Sequence, residues 1–142
     1  MKRGRIIFSL IVTVLFLYLC AFREKNAASA ALPSNRILGL WTGKYLVNGS
    51  STSSDYSFVI KPGGKLIVDS KAGTQQHIST GNWKLTGTTL TCTYTCIYGS
   101  EGSIGLLQTS STTWDKQGKL SGTWKNINGV KADGTLTLEK IK

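Results

Sequence analysis

From residue 38 onward, apolar and polar positions alternate in short runs, and glycine-rich breaks divide one run from the next. Trp41, Gly43, Tyr45 and Val47 occupy alternate positions, as do Tyr56, Phe58 and Ile60, Trp83 and Leu85, and Leu120, Gly122 and Trp124. A period of two is that of a strand with one covered face. No stretch after Ala31 repeats apolar residues at the three-and-four spacing of a helix. The pattern predicts strands near 38–47, 55–61, 65–70, 80–86, 88–98, 103–115, 119–127 and 134–140.

Several connections between these runs are short: Lys61-Pro62-Gly63-Gly64, Thr86-Gly87, Lys116-Gln117-Gly118, and Asn128 to Gly134. Each carries a glycine or proline suited to a tight hairpin, so neighbouring strands are expected to pair antiparallel. The predicted fold is all-β, an eight-stranded antiparallel up-and-down meander closing into a barrel. Closure leaves no edge strand unpaired.

The first thirty residues follow another pattern. Lys2, Arg3 and Arg5 precede an apolar run from Ile6 to Phe22, and a polar stretch then ends in Ala28-Ser29-Ala30, the small-x-small spacing of a signal-peptidase site. Residues 1–30 are read as a signal peptide or membrane anchor, 31–36 as a linker and 37–142 as the barrel domain. The apolar run is shorter than the ~20 residues that span a bilayer comfortably. Cys20, at its end, is a candidate lipid-attachment site, although Leu19 stands where a lipobox carries a small residue. Each variant places the domain outside the cytoplasm: secreted, periplasmic or anchored to the cell envelope.

The chain of 142 residues has a net charge of +10, but from Ala31 onward twelve Lys or Arg face six Asp or Glu, a surplus of +6. These basic residues are scattered singly through the sequence, and no run of them tracks a phosphate backbone. Nucleic acid is therefore not expected as a partner, whereas a cell-surface protein or polyanion is. The membrane enters this reading only through the N-terminal segment.

Chemistry-bearing residues are few. His77 is the single histidine, Cys92 and Cys96 stand four apart in TTLTCTYTCIYG, and neither a Gly-x-Ser-x-Gly turn nor a Cys-x-x-Cys motif occurs. A metal, a cofactor and an enzyme activity are accordingly not expected. Residues four apart along a strand lie about 13 Å from each other, beyond disulfide reach. The two thiols are read as small core residues facing inward with Leu90, Tyr94 and Tyr98; the alternative is a bridge across a bulge or between chains.

Gly-x-Trp recurs at Gly39-Leu40-Trp41, Gly81-Asn82-Trp83 and Gly122-Thr123-Trp124. The glycines are read as bare backbone beside a bulky indole. The inward-facing aromatics Tyr45, Phe58, Trp83, Tyr94 and Trp124 are the candidate ligand-binding residues.

Gly39-Leu40-Trp41 at the first strand, followed by a short-looped all-β meander behind an export signal, resembles the lipocalin and wider calycin superfamily. The resemblance implies an eight-stranded barrel that binds a small apolar molecule at its open end, with Trp41 plugging the other. The later half carries no Thr-Asp-Tyr, and Gly43 stands where avidins carry the Asn that follows their Trp, so biotin is not implied. The expected function is non-enzymatic binding of a small hydrophobic or amphipathic ligand. The alternative is a filled barrel acting as an envelope surface module for a protein or glycan, or as an inhibitor.

Overall fold

The computed structural model describes residues 34–115 and 117–142. Residues 1–33, which include the stretch read as signal or anchor, Cys20 and the first half of the expected linker, lie outside the described residues. After a 3-10 turn at Ser34–Arg36 come eight strands: β1 (Gly39–Val47), β2 (Ser53–Lys61), β3 (Lys65–Ala72), β4 (Gln75–Thr86), β5 (Thr89–Tyr98), β6 (Leu107–Trp114), β7 (Lys119–Asn126) and β8 (Asp133–Lys140). Each pairs antiparallel with the next, and β8 returns to β1, where Tyr45 lies opposite Leu136, so the barrel is closed. Among the described residues no helix is long and apolar enough to cross a membrane.

Alternation decides what fills the barrel. Trp41, Phe58, Leu66, Val68, Leu90, Cys92, Tyr94, Leu120, Leu136 and Leu138 point inward and are buried, while the threonines between them on β5 and β8 face water. This apolar burial is the main driving force for closure. Cys92 and Cys96 are both free and buried in that core.

The barrel has two unlike ends. At the base, where β1 begins and β8 ends, the indole N–H of Trp41 donates to the Ile37 carbonyl at 2.8 Å, and both residues are fully buried. Lys140 holds this closure from outside: its ammonium donates to the Arg36 carbonyl at 2.7 Å and sits 5.9 Å from the centre of the Trp41 ring. Leu90, Leu120 and Leu138 complete the apolar floor. The opposite end, the mouth, is ringed by the β1–β2, β3–β4, β5–β6 and β7–β8 connections.

Three local expectations fail, each for a definable reason. The polar stretch before residue 80 is hairpin rather than loop: β3 runs to Ala72 and β4 starts at Gln75, with Gly73 in the turn at φ +63°. It reads as loop because both faces of this arm reach water at the mouth, so no apolar alternation marks it. The sixth strand starts at Leu107, not 103, because a 3-10 turn at Glu101–Ser103 and Gly105 at φ +82° occupy the approach. Tyr98 faces outward, 63% exposed. The β4–β5 register steps from Ile78↔Tyr98 to Ser79↔Cys96, and the extra residue, Ile97, reverses the parity beyond Cys96.

The glycines of the second and third Gly-x-Trp motifs serve strand coiling rather than an adjacent indole. A Cβ at Gly81 would run into the backbone of Thr93 and Tyr94, and one at Gly122 into that of Ser111 and Thr112. At Gly134 a Cβ would likewise run into the Leu46 backbone, and there it would also lie 2.9 Å from Trp124 Nε1, so an indole adds to the constraint only at this glycine among the three.

Candidate functional site

At the mouth the inward-facing positions of β1, β2 and β7 carry Tyr45, Tyr56 and Trp124. They line a cleft of about 180 Å³ that opens into the barrel from the loop end. Val47 and Leu106 add apolar wall, and Ser70, His77, Ser79, Gln108 and Asn126 supply polar edges. Below the cleft the barrel is filled, since Phe58 and Tyr94 are 0% and 1% exposed.

Aromatic contacts run continuously from the rim into this filled part. Tyr45 lies edge-on to Trp124 at 5.6 Å between ring centres and tilted against Tyr56 at 5.0 Å. Tyr56 meets Phe58 at 5.2 Å, and Phe58 meets Tyr94 at 6.1 Å. Offset and edge-on pairs at such separations each add about 0.5–1.5 kcal/mol beyond area burial. The cleft wall is therefore held by the core beneath it.

Four of the five aromatic residues singled out in the sequence belong to this chain of contacts, and of these Tyr45 and Trp124 line the cleft. Trp83 stands apart. Its indole N–H donates to the Lys61 carbonyl at 2.8 Å, beside the β2–β3 turn at the base. The parity of Trp83 is inward, but β3 pairs with β4 only as far as Lys65↔Asn82, so the indole lies past the end of that strand.

The cleft floor is polar in a specific way. The hydroxyls of Tyr56 and Tyr94 are 2.5 Å apart, a bond between β2 and β5 across the barrel interior. Burial, reinforced by Tyr94, raises the Tyr56 phenol well above its ordinary value, and burial likewise raises Tyr94. Burial pushes the Cys92 thiol up to about 12, against a smaller opposing effect of Ser110. These groups therefore stay protonated near neutral pH and act as neutral hydrogen-bonding partners. Trp124 Nε1, packed against Gly134, is buried without a partner among the protein's own groups, as is Trp114 Nε1 near the base.

Around the rim, polar side chains are engaged with one another. His77 Nε2 lies 3.3 Å from Ser100 Oγ, which in turn contacts Ser103 Oγ at 3.1 Å. Gln108 donates to Asn126 at 2.9 Å, and Asn126 donates to the Val130 carbonyl at 2.7 Å. The Leu107 amide donates to Asn128 at 2.6 Å, tying the β5–β6 and β7–β8 loops together. His77 has a serine neighbour but no carboxylate hydrogen-bonded to its ring among the described residues, so the third member that orients a catalytic histidine is not supplied there. No three of His, Cys, Asp and Glu converge among the described residues as a metal would require.

Sequence reasoning missed His77, Ser79, Gln108 and Asn126 as cleft residues. The first two fall in the stretch read as loop, and polar residues at the open end of a barrel interrupt the apolar periodicity that locates a face. No protein-family model matches the chain, and no curated protein matches it.

Proposed function

We propose that this is a lipocalin-like binding module that takes a small amphipathic molecule into the mouth cleft and performs no chemistry on it. The observation that carries the reading is the cleft's wall: Tyr45, Tyr56 and Trp124 present aromatic rings to a concave opening at the mouth, and His77, Gln108 and Asn126 supply polar groups at its edge. Size narrows the class. Drug-sized ligands occupy roughly 300–1,000 Å³, so a cleft of about 180 Å³ suits one ring or the end of a longer chain. A signal or anchor at residues 1–30 would put this activity outside the cytoplasm.

The test is fluorescence titration with 1-anilinonaphthalene-8-sulfonate, an aromatic probe with anionic acceptors. Saturable binding to the folded protein is expected. Tyr45→Ala should abolish it and Trp124→Phe should weaken it, with melting curves confirming that both variants are folded at the titration temperature. Absence of binding, or binding indifferent to both substitutions, would sink the reading.

A second reading has its own observation. Ile104, Ile127 and Val130 are 58%, 54% and 77% exposed on the two tied mouth loops, near the exposed Ile97 and Tyr98. Such a rim suits a protein partner on a filled barrel. Charged substitutions at Ile127 and Val130 that abolish cell-surface binding while leaving the probe titration unchanged would favour it.

A further inference from the structure

The barrel's surplus of positive charge is segregated. Among the described residues, Arg36, Lys61, Lys65, Lys84, Lys119, Lys140 and Lys142 lie at the base, in the turns and chain ends there, against only Asp115 and Glu139. The other four lysines are matched by four carboxylates, and one of them, Lys44, is paired with Asp55 at 2.5 Å. The described domain thus has a base of +5 and a remainder of zero.

Fold stability does not account for this arrangement. Lys61 and Lys65 are direct cross-strand partners at the β2–β3 turn, and like charges so placed are destabilising. The base is also shaped: a hollow of about 450 Å³ runs between the 3-10 turn, the β6–β7 turn and the end of β8, bordered by Arg36, Lys119, Lys140 and Lys142 and by both base carboxylates, Asp115 and Glu139, so cations outnumber anions around it two to one. Trp114 forms part of its wall.

What meets this face follows from where the chain enters it. The described domain begins at Ser34 at the base, and the apolar run read as signal or anchor ends at Phe22. The intervening residues 23–33 extend to at most about 40 Å. A membrane holding the apolar run would therefore lie within reach of the base, and a surface of anionic headgroups complements its charge.

We propose that the base docks on an anionic lipid surface through Arg36 and the base lysines, which leaves the mouth cleft facing away from the membrane. This inference is independent of what the cleft binds. Each lysine near an anionic surface contributes about fivefold to the partition. Lys140 is committed to Trp41 and Arg36, so Lys61, Lys84, Lys119 and Lys142, all exposed, are the residues to vary.

The experiment uses the full chain with Cys20→Ser and Cys96→Ser, labelled through Thr86→Cys at the base or Ser51→Cys at the mouth, and reconstituted in vesicles carrying a headgroup energy acceptor. With phosphatidylserine present at low salt, transfer should be strong from position 86 and weak from 51. The difference should vanish in phosphatidylcholine alone and near 1 M salt, where the Debye length is about 3 Å. The quadruple variant K61E/K84E/K119E/K142E should lose the difference, whereas K71E/K125E/K131E should keep it, with melting curves confirming that both fold. Strong transfer from position 51, or a difference between the two labels that is indifferent to lipid charge or to the base variant, overturns the proposal. So does tight binding of heparin with no difference between the two lipid compositions.

Discussion

The Tyr56 and Tyr94 hydroxyls meet at 2.5 Å and join two strands that are not neighbours in the barrel wall. Tyr56 lines the cleft and Tyr94 lies below it, so the bond is also the boundary between the open mouth and the filled interior.

Removing either hydroxyl tests that boundary. Tyr56→Phe leaves the Tyr94 hydroxyl buried beneath an apolar ring and should destabilise the barrel by about 1–3 kcal/mol. Tyr94→Phe likewise leaves the buried Tyr56 hydroxyl without its partner, so its cost should be of the same order. The double variant should cost less than the two single changes added together. Urea melts of the three variants measure the cycle, and a double variant that loses as much as the two single changes added together would contradict it.

Gly81 and Gly87 make a controlled pair for barrel coiling. Gly81→Ala drives a methyl into the backbone of Thr93 and Tyr94, which cannot move without breaking the β4–β5 ladder, and about 3 kcal/mol or more should be lost. Gly87 has φ +61° but no atom within 4 Å of its missing Cβ, so alanine there should cost only the left-handed backbone preference, about 1–2 kcal/mol. Thermal melts that rank the two in the opposite order would refute the coiling account of Gly81.

Where the sequence was legible, one inner face alternated against one wet face. Phe58 and Ile60 on β2 and Leu90, Cys92 and Tyr94 on β5 announce their strands and their direction, and the short turns announce the meander. Legibility stops where that contrast stops. His77 and Ser79 lie on the mouth-side arm of β4, where no apolar alternation marks either face, and Tyr98 lies beyond a bulge that only the partner strand's register reveals. Trp83 shows a further limit. Parity gives its side of the sheet, but whether a neighbouring strand covers that point depends on where β3 begins. The cleft depends on all three kinds of information at once, and for that reason only its aromatic wall could be read in advance.

Asp115 organises the β6–β7 turn. One carboxylate oxygen accepts the amides of Gln117, Gly118 and Lys119 at 2.8, 3.0 and 2.9 Å, and these bonds, the Lys119 amide foremost, hold its carboxyl below the ordinary 3.8. A lowered folded value means stability that is present above pH 3.8 and lost as pH falls through the folded value. Asp115→Ala should raise amide exchange at residues 117–119 at neutral pH, and its stability difference from the parent should shrink in acid. A difference that grows below pH 3.8 would contradict this sign.

Cys92 faces the barrel interior opposite Ser110, and burial pushes its thiol from 9.0 up to about 12. The thiolate is the reactive form, so iodoacetamide at pH 8 should leave Cys92 unmodified in a Cys20→Ser, Cys96→Ser background, with labelling appearing only at the rate of unfolding. The raised value carries a second consequence of opposite sign to that of Asp115. The folded state keeps the proton above pH 9 while the unfolded chain gives it up, so this contribution is complete below the unfolded value and is lost as pH rises toward 12. At ~1.36 kcal/mol per unit the loss approaches roughly 4 kcal/mol at the alkaline limit. Tyr56 and Tyr94 add to it in the same direction, because burial raises them too. Cys92→Ala separates the contributions: the variant should be less stable than the parent at pH 7 because of the lost packing, and the gap should narrow between pH 9 and 12. A gap of constant width across that range, measured by urea melts, would show that the thiol stays un-ionised in both states or ionises equally in both.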